Sequence, residues 1–152
     1  MSRSIRLAIA IAALSALMLG SVASTVAGGP KILDAQMTGI PTGGLGLHGL
    51  VGGGAPWRLD AGKAKLFADG RLEVEVEGLT LLNGTNPIAN GRAVVTCSSV
   101  AVASSPIVPF SPAGNAEVAT RVNLPSPCLA PAVFFSGVLP NGAERWFAVT
   151  GF

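Results

Sequence analysis

Between Arg71 and Leu79 the chain reads RLEVEVEGL, with Leu72, Val74 and Val76 alternating against Arg71, Glu73, Glu75 and Glu77. Successive side chains of a strand point to opposite faces, so this period of two predicts one buried and one solvated face. Just upstream, GKAKLF sets Lys63 and Lys65 against Ala64 and Leu66 in the same rhythm. Ala68-Asp69-Gly70 separates the two runs, and a three-residue loop ending on a left-handed glycine suits that tripeptide. The loop dictates a register in which Phe67 faces Arg71, Leu66 faces Leu72, Lys65 faces Glu73, Ala64 faces Val74 and Lys63 faces Glu75. A two-residue Asp69-Gly70 loop would set Leu66 against Glu73 and mix the faces. Cross-strand ion pairs contribute about 0.2–1 kcal/mol each, so they select the register more than they add stability.

Other segments give shorter strand signals. Lys31 to Met37 supplies one strand, and LTLL at Leu79–Leu82 another, ended by the turn residues NGTNP. Arg92 to Val102 (RAVVTCSSVAV) is rich in β-branched residues and predicts a strand with a bend. The following SSPIVPFSPAGN holds three prolines and allows at most an edge strand. Ala116 to Leu124 alternates again, with Val118, Thr120, Val122 and Leu124 on one face. Ala132–Ser136 and Arg145–Thr150 flank the turn LPNGAE as a closing hairpin. Seven or eight short strands with intervening turns, and no helical period beyond residue 27, predict an all-β fold. The expected arrangement is an antiparallel β-sandwich, with a small barrel as the second choice. Gly39 to Pro56 carries eight glycines in eighteen residues and reads as a flexible loop leading into a domain over residues 57–152.

The N-terminus follows a different rule. Arg3 and Arg6 precede the uncharged apolar run Leu7–Leu19, and SVASTVAGG follows it. A basic start, an apolar middle and small residues at the end make the pattern of a secretory signal peptide over residues 1–27. Cleavage after Ala23 or Ala27 fits, and the run is shorter than the ~20 residues of a membrane span. No stable membrane anchor is expected after cleavage.

Export changes the charge picture. The whole chain has a formal charge of +2, but without Arg3 and Arg6 eight Lys/Arg stand against eight Asp/Glu. No basic stripe remains for nucleic acid, and no basic amphipathic helix for a membrane surface. Outside the cytoplasm, Cys97 and Cys128 most simply form one disulfide. GLGLHG, Gly44 to Gly49, formally matches a dinucleotide-binding glycine motif, but no helix follows to meet a pyrophosphate. His48, the one histidine, sits among those glycines with no nucleophile elbow elsewhere. Asn83-Gly84-Thr85 is a formal glycosylation acceptor with a simpler role as a turn. Glu73, Glu75 and Glu77 repeat roughly every 6.5–7 Å along one strand face. They read first as a solvated face balanced by the two lysines, leaving Glu77 without a basic partner. Trp146, Phe147, Phe134 and Phe135 read as core, whereas Trp57, after Pro56, is the aromatic expected at the surface. No catalytic residue, cofactor or metal set is assigned; the possible binding surface is Trp57, Glu75 and Glu77.

The stretches PWRLDAGKAKLFADGRLEVEVEGLTLLNGTNP, RAVVTC, LPSPCLAPAVFF and WFAVTG together resemble a group of small exported bacterial proteins of unknown function. That resemblance covers residues 55–152 and implies a secreted domain with this cysteine pair. GKAKLFADGRLEVEVEGL also resembles the first part of the CHRD domain of extracellular proteins, without that domain's histidine motif. The expected function is an exported, non-enzymatic extracytoplasmic protein, a surface or binding module of unknown ligand. The alternatives are an envelope glycan-active enzyme using the strand carboxylates, or a structural subunit assembling by strand addition.

Overall fold

The computed structural model describes residues 28–151, so the segment 1–27, expected as a signal peptide, lies outside the described residues. Thirteen strands follow in order: β1 (Lys31–Gly39), β2 (Gly46–Leu47), β3 (Leu50–Val51), β4 (Trp57–Arg58), β5 (Ala61–Phe67), β6 (Arg71–Glu77), β7 (Thr80–Leu81), β8 (Asn90–Cys97), β9 (Val100–Ser104), β10 (Val108–Pro109), β11 (Ala116–Arg121), β12 (Ala132–Val138) and β13 (Glu144–Thr150). The fold is all-β and antiparallel, and no described helix is long and apolar enough to cross a membrane.

The hairpin register agrees with the pattern-based one at four of its five pairs. Lys63 pairs with Glu75, Ala64 with Val74, Lys65 with Glu73 and Leu66 with Leu72. Gly70 closes the loop at φ 84°, donating its N–H to the Phe67 carbonyl at 2.9 Å. β11 adds to the far side of β6, and β1 to the far side of β5. The inward positions Ala64, Leu66, Leu72, Val74, Val76 and Val118 are all buried.

β1 organises the rest. Its first part, Lys31–Gln36, pairs with β5, whereas Met37–Gly39 pairs with β13. The half-sheet β1-β5-β6-β11 therefore continues into β13-β12-β8, and β9 and β10 pair with β8 beyond. Strands that pass from one sheet to the next make the corners of closed or orthogonal β structures. The two layers expected of a sandwich are here the halves of one curled sheet, a half-barrel. β1 is thus a central strand, and the folded unit begins well before residue 57.

β8, β12 and β13 differ from the alternating strands because both of their faces are buried. Phe134 and Phe135 are successive residues that point to opposite faces, as are Trp146 and Phe147. Phe135 meets Phe110 edge-on at 5.1 Å, and Phe147 stacks on Trp57 at 3.9 Å. Phe134 meets Trp146 edge-on at 5.5 Å. The cover over Phe134 and Trp146 is the glycine-rich segment expected as a flexible loop. Its β2–β3 hairpin turns at His48 (φ 52°) and Gly49 (φ 75°), and Gly52 bridges to Trp146 in parallel. Gly53 donates its N–H to the Trp146 carbonyl at 3.0 Å. A Cβ on Gly53 would stand 2.9 Å from the Phe147 ring, so only glycine lets this backbone lie so close.

Arg92 to Val102 proves to be a hairpin and not a bent strand. Ser98 and Ser99, at φ 50° and 64°, turn β8 into β9. This is the positive-φ two-residue turn usually marked by Asn-Gly, so two serines concealed it. Asn83 takes the turn role, its side-chain oxygen accepting from the Thr85 N–H and hydroxyl. Cys97 and Cys128 form the disulfide, with Cα atoms 5.2 Å apart, joining the end of β8 to the segment before β12.

Two stability outcomes follow. The disulfide spans a sequence separation of 31, so reduction should destabilise the fold by about 3–4 kcal/mol through loop-closure entropy, measured by urea unfolding with and without reductant. Gly70→Ala forces a side chain at positive φ against the Val122 carbonyl oxygen. It should lower stability by roughly 1–3 kcal/mol on the same assay.

Candidate functional site

Two surfaces bear chemistry. The first is the outer face of β1-β5-β6-β11. Of the sixteen charged residues after residue 27, eleven belong to these strands and the Asp69 turn. β8, β9, β10, β12 and β13 carry only Arg92, Glu144 and Arg145. The alternating strands put every second residue in water, whereas strands buried on both faces have no solvated row for charge.

On the charged face Lys65 pairs with Glu73 at 3.2 Å, as the register implies. Lys63 stands opposite Glu75 but reaches the other way, to Asp34 on β1 at 3.1 Å. Asp34 also holds Lys31 at 2.6 Å. The hairpin alone could not reveal this, because β1 delivers the competing carboxylate. Glu75 consequently faces Glu117 across β6 and β11, with no ion pair among the described residues. Arg71 lies over the ring of its cross-strand neighbour Phe67, 3.7 Å from the centroid, a cation–π contact. Lys63, Lys65, Glu73, Glu75 and Glu117 border a shallow open groove of about 410 Å³. No set of three His, Cys, Asp or Glu side chains among the described residues is arranged to hold a metal.

Trp57 leaves the candidate binding surface. It is 5% exposed, stacked on Phe147 and 6.4 Å from Phe110. The chain turns inward after Pro56 because β4 pairs with β7, placing the indole against the aromatic cluster. Glu75 and Glu77 are exposed, as expected of a solvated face.

The second surface was not found by pattern. Where β1 parts from β13 to follow β5, the two half-sheets diverge like a fork. An apolar pocket of about 300 Å³ occupies that fork, bounded by Leu33 and Ala35 of β1, Ala132 of β12, Val149 of β13, and Leu47 and His48 of the cover. No Lys, Arg, Asp or Glu lines it. His48 is firmly held. Its ring meets Phe134 edge-on at 5.4 Å, and Nδ1 lies 2.8 Å from Oγ1 of the fully buried Thr96. One sequence signal could have pointed here: AVFF and WFAV are continuous apolar runs, which demand burial on both faces and hence a cover.

No protein-family model, curated protein or solved structure matches the chain.

Asp34 and Asp69 set the acid response of the charged face. The Asp34 carboxyl lies below its ordinary value of 3.8, first through the hydrogen bond from Lys31 and then that from Lys63. Asp69 is lowered chiefly by the Arg71 backbone N–H, which donates to it at 3.1 Å. A carboxyl depressed in the folded state stabilises the fold above its unfolded pKa, and that contribution is lost as pH falls through the folded pKa. Thermal midpoints should therefore fall as pH drops below about 4, and Asp34→Asn should flatten that fall. In the other direction, Trp57→Ala should cost about 3–5 kcal/mol in urea unfolding, the range of a buried aromatic and not of an exposed one.

Proposed function

We propose that the protein is an exported, non-enzymatic extracytoplasmic binding module whose ligand site is the apolar pocket at the fork. The observation that carries this reading is the pocket itself: an uncharged, solvent-open concavity bounded by both half-sheets and by a cover with one fixed polar side chain. Small-molecule sites are typically concave and mostly apolar, with few polar groups. Export is supported by the signal-peptide pattern over residues 1–27 and by the disulfide, which persists in oxidising compartments. The glycan-active alternative draws less support, because Glu75 and Glu77 lie on an open face and do not converge in an enclosed site. Assembly by strand addition keeps one observation in its favour: β9, Val-Ala-Val-Ala-Ser, is uncharged and pairs with β8 alone.

Two measurements test the proposal. Expressed with its N-terminus intact in a bacterium, the protein should be recovered outside the cytoplasm beginning at Ser24 or Gly28. Recovery from the cytoplasm with Met1 retained counts against export. For the pocket, an uncharged fluorescent dye such as N-phenyl-1-naphthylamine should bind the folded protein with one-to-one stoichiometry. Ala132→Phe, which fills the pocket, should reduce that binding at least tenfold while leaving the unfolding transition cooperative. Dye binding untouched by this variant would place the site elsewhere.

A further inference from the structure

The hydrogen bond between His48 and Thr96 assigns the pocket's ligand class, on the reading that the fork pocket binds a small molecule. A neutral imidazole has one N–H and one bare nitrogen, and the partner of one decides the role of the other. Thr96 Oγ1 is 2.8 Å from His48 Nδ1, whereas its other acceptor in reach, the Ala132 carbonyl, is 3.5 Å away. A separation of 2.8 Å suits a hydrogen bond in either direction, so the other place open to the Thr96 proton decides between them. At 3.5 Å a hydroxyl bond is close to nothing, and Thr96 is wholly buried, so its proton must go where it is best accepted. Thr96 therefore donates to Nδ1, and the ring proton sits on Nε2.

That leaves Nε2–H as a donor with no protein partner among the described residues, on a side chain that lines the pocket. The lining contains no cation to offset a buried anion, and desolvating a carboxylate there would be costly. We infer that the pocket takes a small uncharged apolar molecule carrying one acceptor oxygen, an ester, ketone or lactone. Its carbonyl would accept from His48 Nε2–H while its hydrocarbon part lies against Leu33, Ala35 and Val149. Thr96 is the positioning residue, through the tautomer it imposes. The strained backbone at His48, at φ 52°, fits the same role, since it holds the imidazole against Phe134 within reach of Thr96.

The test has two independent arms. The chain holds a single histidine, so long-range proton–nitrogen NMR correlation on the exported protein reads its tautomer without ambiguity. With the ring neutral the pattern should be that of Nε2–H, and an Nδ1–H pattern overturns the inference. In the second arm methyl octanoate, octanoate and n-octane are titrated. The ester should bind about five- to tenfold more tightly than the hydrocarbon, the worth of one net hydrogen bond, with the carboxylate weakest. His48→Gly, which suits the left-handed backbone, should erase the ester's advantage over octane. Equal binding of ester and octane to the unaltered protein overturns the donor assignment while the pocket reading stands. Failure of all three to bind, with the Nε2–H tautomer present, overturns the pocket reading itself.

Discussion

The double pairing of β1 is the constraint on which the rest of the molecule depends. Nine residues serve two partners in succession, β5 along Lys31–Gln36 and β13 along Met37–Gly39. A strand has two edges, and one shared in this offset way makes the sheet bend about the shared segment. The same offset opens the fork, because β13 ends beside Met37 while β1 continues along β5. The apolar pocket is therefore a consequence of strand order, and no residue in it was needed to create the space.

The bend also divides the labour between the two halves. β5, β6 and β11 bury one face and wet the other, so they accommodate most of the charge as a network in which no pair is deeply buried. β8, β12 and β13 carry aromatic and aliphatic side chains on both faces, and their second face requires covering. The β2–β3 hairpin provides it, and Gly52-Gly53 tie it to the backbone of Trp146, with Gly53 too close to the Phe147 ring for a side chain. His48 reaches Phe134 and Thr96 from this cover. The only imidazole is thus anchored by the same arrangement that shields the aromatic pair.

The β5–β6 hairpin was legible because its information is local: alternation, a turn tripeptide, and opposite charges across the register. Strands β11, β12 and β13 and the inward placement of Val118 were legible for the same reason, as was the cysteine pair, which had no rival partner. The β8–β9 hairpin escaped because Ser98 and Ser99 adopt positive φ without the glycine or asparagine that signals it. The ion pair of Lys63 with Asp34 escaped because it joins strands some thirty residues apart in sequence. Trp57 escaped because its burial depends on the pairing of β4 with β7 and on an aromatic partner nearly a hundred residues away.

By itself, then, the sequence determined where most of the longer strands lie, which faces of the alternating ones turn inward, and which cysteines meet. The first two follow from steric and hydrophobic preferences of residues within one turn or one strand of each other, and the third from the absence of a rival cysteine. Tertiary structure decided the order of those strands, the sharing of β1, the folding of the glycine-rich segment into a cover, and so the site around His48. Glycine has no side chain to pattern, and its contribution lies in how closely another backbone can approach. That approach exists only once distant segments have been brought together.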